Sequence, residues 1–182
     1  MKFAVVIIAL VSTLNLFAGT KVVIKTSMGN IELELYDKKS PLSVKNFLQY
    51  VDEGFYTNML FHRVIEDYII QGGLVDKDFK EKKTHPQIRN EALNLVPNLK
   101  GTIGMARRRP KHSAKSEFYI NLKENPKLNH TGLGNYGFAV FGKVTKGLEI
   151  AAKIAKTPTE KKNNHKRVPI EPVIIKSIER LE

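Results

Sequence analysis

Two runs of strict two-residue alternation, 21–27 (KVVIKTS) and 30–36 (NIELELY), meet at Met28-Gly29 and leave this chain little freedom in what it can fold into. Successive side chains of a strand point to opposite faces, so Ile31, Leu33 and Leu35 share one face while Glu32 and Glu34 share the other. Two such runs joined by a glycine-bearing turn predict an antiparallel hairpin, one face on a core and one in water. Further strands are predicted over 101–106, 116–122 (SEFYINL), 137–144 (GFAVFGKV) and 172–178, and two short ones around a Glu66-Asp67 turn in 61–73. Only two segments carry helical spacing. Ser40 as N-cap and Pro41 at the first helical position open the first, with Leu42, Val44, Phe47, Leu48 and Val51 on one face and Gly54 as its stop. The second spans 148–156. Residues 77–100 read as a long surface excursion with at most short structured pieces near 88–91, and 107–115 and 157–167 read as polar loops. Strands outnumber helices, which predicts a mainly β fold: a closed antiparallel barrel with a helix capping each open end.

The length of 182 residues suits one domain. The absence of cysteine excludes disulfides, thiolate metal sites and a cysteine nucleophile, so packing alone must hold the fold. The 30 basic residues against 18 acidic ones give a net charge of +12. They are scattered over polar, proline-bearing stretches with little aromatic interleaving, the pattern of a solvated surface rather than a nucleic-acid site. Residues 1–19 stand apart. Lys2, the apolar run 3–11 and the small residues ending at Ala18-Gly19 have the layout of a cleavable signal peptide. The run falls short of the roughly 20 residues of a membrane span. The expectation is an exported, periplasmic protein, its mature domain covering 20–182 with no stable membrane insertion.

The chemistry concentrates in 61–73, FHRVIEDYIIQGG. Arg63 interrupts an apolar run, so its permanent charge either faces a wet concavity or meets acceptors built for it. Gln71 adds an amide, and Gly72-Gly73 lets the backbone bend or approach a neighbour closely. His62 reads as a packed, hydrogen-bonded histidine, and Glu66 and Asp67 as turn residues.

This string, together with 101–106 (GTIGMA), 116–120 (SEFYI) and 138–144 (FAVFGKV), resembles the cyclophilin family of peptidyl-prolyl isomerases, and the likeness runs in order from about 21 to 181. It is most similar to the bacterial exported branch. The resemblance implies an eight-stranded barrel with a helix at each end, no metal or other cofactor, and a monomer acting on proline-containing peptides and unfolded exported proteins. By matching positions it implies Arg63 as the catalytic arginine, Gln71 as a backbone-orienting amide, and Tyr68, Ile69, Ala106, Tyr119 and Leu128 as the groove. Tyr68, Ile69 and Tyr119 replace the usual Phe, Met and Phe. Phe138 stands where animal members have histidine, and Lys127 where they have tryptophan, which implies weak inhibition by cyclosporin. Glu117 replaces a common glutamine and is placed to pair with Arg63. Arg107, usually asparagine, adds a second cation that would favour acidic substrates. Glu117 and Arg107 also leave open a second reading, a proline-peptide-binding chaperone module with little catalysis.

Overall fold

The computed structural model describes residues 19–181, so the signal-peptide expectation lies, apart from Gly19, outside the described residues. The opening hairpin forms as β1 (Lys21–Thr26) and β2 (Gly29–Leu35), paired from Lys21↔Glu34 to Thr26↔Gly29. Its turn is Ser27-Met28, and Gly29 is already the first paired residue of β2. The chain continues through α1 (Pro41–Asp52), β3 (Met59–Leu60), β4 (Arg63–Ile65), β5 (Ile69–Gly72), β6 (Thr102–Met105), β7 (Phe118–Asn121), β8 (Val140–Lys146), α2 (Leu148–Ala155), β9 (Thr159–Lys162), β10 (His165–Pro169) and β11 (Ile174–Arg180).

One curled antiparallel sheet holds nine of these strands in the order β3-β11-β1-β2-β8-β6-β7-β5-β4. The expected closed, eight-stranded barrel is therefore corrected to an open, nine-stranded sheet. Its edge strands β3 and β4 belong to a single run of chain broken at Phe61-His62. Leu60 pairs with Ile174 of β11, whereas Arg63 pairs with Gln71 of β5. At the break the Phe61 N–H donates to the Val173 carbonyl, so this short run changes partners instead of completing a ladder. The two edges are joined by covalent chain. The segment 157–167, read as a loop, instead forms a second sheet, the ribbon of β9 and β10, whose turn places Asn163 and Asn164 at positive φ.

Inside the curl, Phe47 of α1 meets Tyr56, Phe118 and Phe141 with ring centroids 5.2–5.6 Å apart, and α2 adds Ala151, Ile154 and Ala155 to the same core. Ring packing and burial of this kind are what a chain without cross-links relies on. Ser40 does not cap α1 with its side chain; its hydroxyl donates to the Val140 carbonyl. The cap comes from far along the chain. The Glu91 carboxylate accepts the N–H groups of Leu42 and Ser43 at 3.0 and 2.7 Å and the Ser43 hydroxyl at 2.7 Å. A carboxylate there satisfies donors that the helix cannot and faces the positive end of its dipole. Glu91→Ala is expected to lower stability by about 1–2 kcal/mol in urea unfolding, and an unchanged midpoint in that variant would remove Glu91 as the cap.

Residues 77–100 are not wholly superficial either. Asn90, Ala92 and Asn98 are buried, because asparagine side chains supply hydrogen bonds that this irregular backbone lacks.

Candidate active site

Strand alternation creates two apolar clusters on opposite faces of the sheet. Ile70, Phe118 and Ile120 point into the main core, whereas Ile69 and Tyr119, with Ala106, form a separate cluster with Tyr68, Leu128 and Phe138 against it. Registers then set one cross-strand row. Arg63 on β4 faces Gln71 on β5, Gln71 faces Tyr119 on β7, and Tyr119 faces Gly104 on β6. Neighbouring side chains in such a row stand about 5 Å apart, close enough to act together.

The row borders a cavity of about 370 Å³ lined by Arg63, Tyr68, Ile69, Gln71, Ala106, Arg107, Tyr119, Leu128 and Phe138. Of the ten residues singled out from sequence, nine therefore meet in one concavity. Glu117 stands behind Gln71. A larger cleft of about 500 Å³ runs along α1, but its Arg180 and Asp52 are paired with each other at 2.7 Å, and it holds none of the site residues singled out from sequence. The smaller cavity has the chemistry of a site.

Arg63 donates through Nη1 to Gln71 Oε1 at 3.0 Å, and Gln71 Nε2 donates to Glu117 Oε2 at 2.9 Å. The expected Arg63–Glu117 pair is thus relayed through the Gln71 amide. An ionised carboxylate can only accept, so it fixes which way that amide faces and leaves the amide oxygen for the guanidinium. Glu117 Oε1 meets Arg108 at 3.2 Å. Burial raises the Glu117 carboxyl above the usual carboxylate range, with Arg108 and the Gln71 bond pulling the other way. Arg107 does not reach freely into the groove. Its Nε donates to the Gly137 carbonyl at 2.9 Å, its Nη1 donates to the carbonyls of Arg108 and Arg109, and its guanidinium lies 4.6 Å from the Phe138 ring centre. It is a wall as much as a charge.

His62 is packed as expected, only 3% exposed, but its Nδ1 has no hydrogen-bond partner among the described residues. Burial first, then the charges of His165, Arg63 and Arg108, lowers its pKa to about 3. At neutral pH it is uncharged, so its 3.7 Å approach to Glu117 is not an ion pair. Two residues escaped the sequence reading. Arg108 lay in a stretch taken as loop. Asn98 is fully buried and accepts the Tyr119 hydroxyl at 2.6 Å. The available hint was Tyr119 itself, since a phenol in place of phenylalanine needs a partner once buried.

Among the described residues no group of three or more histidine and carboxylate side chains is arranged to hold a metal, and no helix is long and apolar enough to cross a membrane. The groups present can bind an apolar ring and offer hydrogen bonds from a fixed cation.

Comparison with known proteins agrees. The profile described as "Cyclophilin type peptidyl-prolyl cis-trans isomerase/CLD" matches residues 21–180. Peptidyl-prolyl cis-trans isomerase A of Dickeya dadantii is 50% identical over 159 residues, 87% of this chain and 83% of that protein. A peptidyl-prolyl cis-trans isomerase of Acinetobacter baylyi is 44% identical over 178 residues, covering 98% and 94% respectively. The crystal structure of a Cryptosporidium parvum cyclophilin-type isomerase, solved in the presence of the dipeptide Ala-Pro, superposes with a TM-score of 0.74 at 26% identity, over 89% of this chain and 99% of that one. With the profile spanning nearly the whole described chain and bacterial relatives at this identity, the chain belongs to the cyclophilin-type peptidyl-prolyl cis-trans isomerases.

Proposed function

We propose that this isomerase accelerates rotation of X-Pro bonds in exported proteins as they fold in the periplasm, with Arg63 stabilising the twisted amide. The reading takes residues 1–19 as a signal peptide and 20–182 as the working domain. One observation carries the mechanism: Arg63 stands at the rim of an apolar cavity with its guanidinium steadied by Gln71.

Amide resonance opposes rotation with a barrier of about 18–20 kcal/mol, and uncatalysed exchange at proline takes tens to hundreds of seconds. Twisting breaks the resonance, and the nitrogen lone pair becomes a hydrogen-bond acceptor that the planar amide lacks. A guanidinium aimed at that nitrogen therefore binds the transition state more strongly than the ground state. Tyr68, Ile69, Tyr119 and Leu128 grip the pyrrolidine ring, and the remaining chain turns. No proton moves and no covalent intermediate forms, so neutral His62 needs no role as a base.

Chain 20–182 is expected to speed cis-to-trans exchange in a protease-coupled prolyl-peptide assay well beyond the spontaneous rate. The alternative, a proline-peptide-binding module with little catalysis, is favoured by Glu117 and Arg107 and would give peptide binding without acceleration. Fractionation of cells expressing the full chain tests the compartment: mature protein retained in the cytoplasm would end the export part of the reading.

A further inference from the structure

We propose that Asn98 is a positioning residue that holds the floor and both rims of the proline cavity in one geometry and thereby sets the ring size the cavity accepts. The inference rests on the isomerase reading only in naming a prolyl ring as the occupant.

Asn98 has no contact with the cavity itself, yet its bonds reach three of its walls. Its Oδ1 accepts from the Tyr119 hydroxyl at 2.6 Å and from Asn121 Nδ2 at 3.1 Å. Its backbone N–H and Nδ2 both donate to Asn129 Oδ1, at 2.8 and 3.0 Å, fixing the residue that follows Leu128. Nδ2 also lies 3.4 Å from the Phe138 carbonyl. The Phe138 N–H in turn donates to the Leu128 carbonyl at 2.9 Å, so floor and rims form one connected set. Both Asn98 and Tyr119 are almost wholly buried, and burial raises the phenol well above its usual range, so it remains a donor. Fully satisfied buried networks of this kind specify one arrangement.

The sheet makes room for this phenol. A Cβ at Gly104, opposite Tyr119 in the row, would collide with the Tyr119 hydroxyl and the ring carbon that bears it, so one of them would have to move. Tyrosine at 119, asparagine at 98 and the bare backbone at 104 are therefore one device: the ring is anchored at its far end, and its hydroxyl end passes over Gly104 of strand β6. A floor so held cannot swing aside for a larger ring.

The test compares affinity for a prolyl peptide with that for the same peptide carrying pipecolic acid, whose ring has one more methylene. Binding is read by calorimetry and turnover separately, in wild type, Asn98→Ala, Tyr119→Phe and the double variant. Wild type is expected to prefer the five-membered ring by about tenfold or more, the usual discrimination of a rigid pocket against one methylene. Each single variant is expected to bring that ratio close to one, mainly through KM, and the double variant to change it no further, as for residues acting through a shared bond. If Asn98→Ala fails to fold, Tyr119→Phe alone decides, because it removes one hydroxyl and leaves Asn98 bonded to Asn121 and Asn129. An unchanged ratio in folded Tyr119→Phe, or strictly additive effects in the double variant, overturns the proposal. A wild type that binds the peptides without isomerising them sinks the catalytic reading, while the affinity ratios still decide the role of Asn98.

Discussion

Arg63→Ala is expected to slow turnover of a prolyl peptide by about 10²–10³-fold, the scale seen when one preorganised transition-state donor is removed. Peptide affinity is expected to change far less, because the proposed mechanism leaves the grip on the ring to Tyr68, Ile69, Tyr119 and Leu128, whereas the guanidinium is hydrogen-bonded to Gln71. The fold should persist. Arg63 is half-buried at an edge strand, and its loss frees only the Gln71 oxygen, which the open groove lets water satisfy. Lysine should recover part of the rate at most, since it offers a point charge where the site holds a planar fork. Turnover unchanged in a folded Arg63→Ala protein would remove the guanidinium from the mechanism.

The second large effect is on stability. The folded protein keeps His62 neutral down to a pKa of about 3, whereas the unfolded chain takes up a proton near 6.5. Below pH 6.5 the unfolded state therefore binds more protons, and stability falls as pH drops from 6.5 towards 3. One such group gives a slope of up to about 1.4 kcal/mol per pH unit. Asp52, Glu53, Asp76 and Glu179 have lowered values, so their contributions are lost only at more acidic pH than the onset of the His62 effect. Glu117 works the other way. Its raised value lets the folded state bind its proton first, so it gains stability on acidification and masks part of the loss. Urea midpoints between pH 6.5 and 5 are expected to decline in wild type and to decline more steeply in Glu117→Gln. An NMR titration showing the His62 ring protonated in the folded protein at pH 6 would remove the cause.

Much of this was legible from side-chain types because alternation and burial are local. The hairpin, both helices and strands β5 to β8 follow from period-2 or helical spacing, and the FHRVIEDYIIQGG string placed Arg63 and Gln71 on facing strands around the Asp67 turn. What escaped depends on partners distant in sequence. Two paired residues of β3 carry no period, so the change of partner at Phe61-His62 could not be read. The β9–β10 ribbon buries only Val168 and Pro169, leaving no alternation to see, although Asn163-Asn164 was a usable turn signal. Glu91 caps a helix 48 residues upstream, and Asn98 reaches 31 residues onward to Asn129; neither has a local signature. Glu117 was seen as a neighbour of Arg63, but the amide between them required coordinates.

The place where the sheet's two margins are sewn together lies immediately before Arg63. One of the two residues that make the crossing, His62, keeps its imidazole buried and uncharged, so whatever loosens that seam also disturbs Arg63, the first member of the cross-strand row. Acid resistance and turnover are consequently bound to a single point in the backbone, and improving one by substitution at 61 or 62 will be felt in the other.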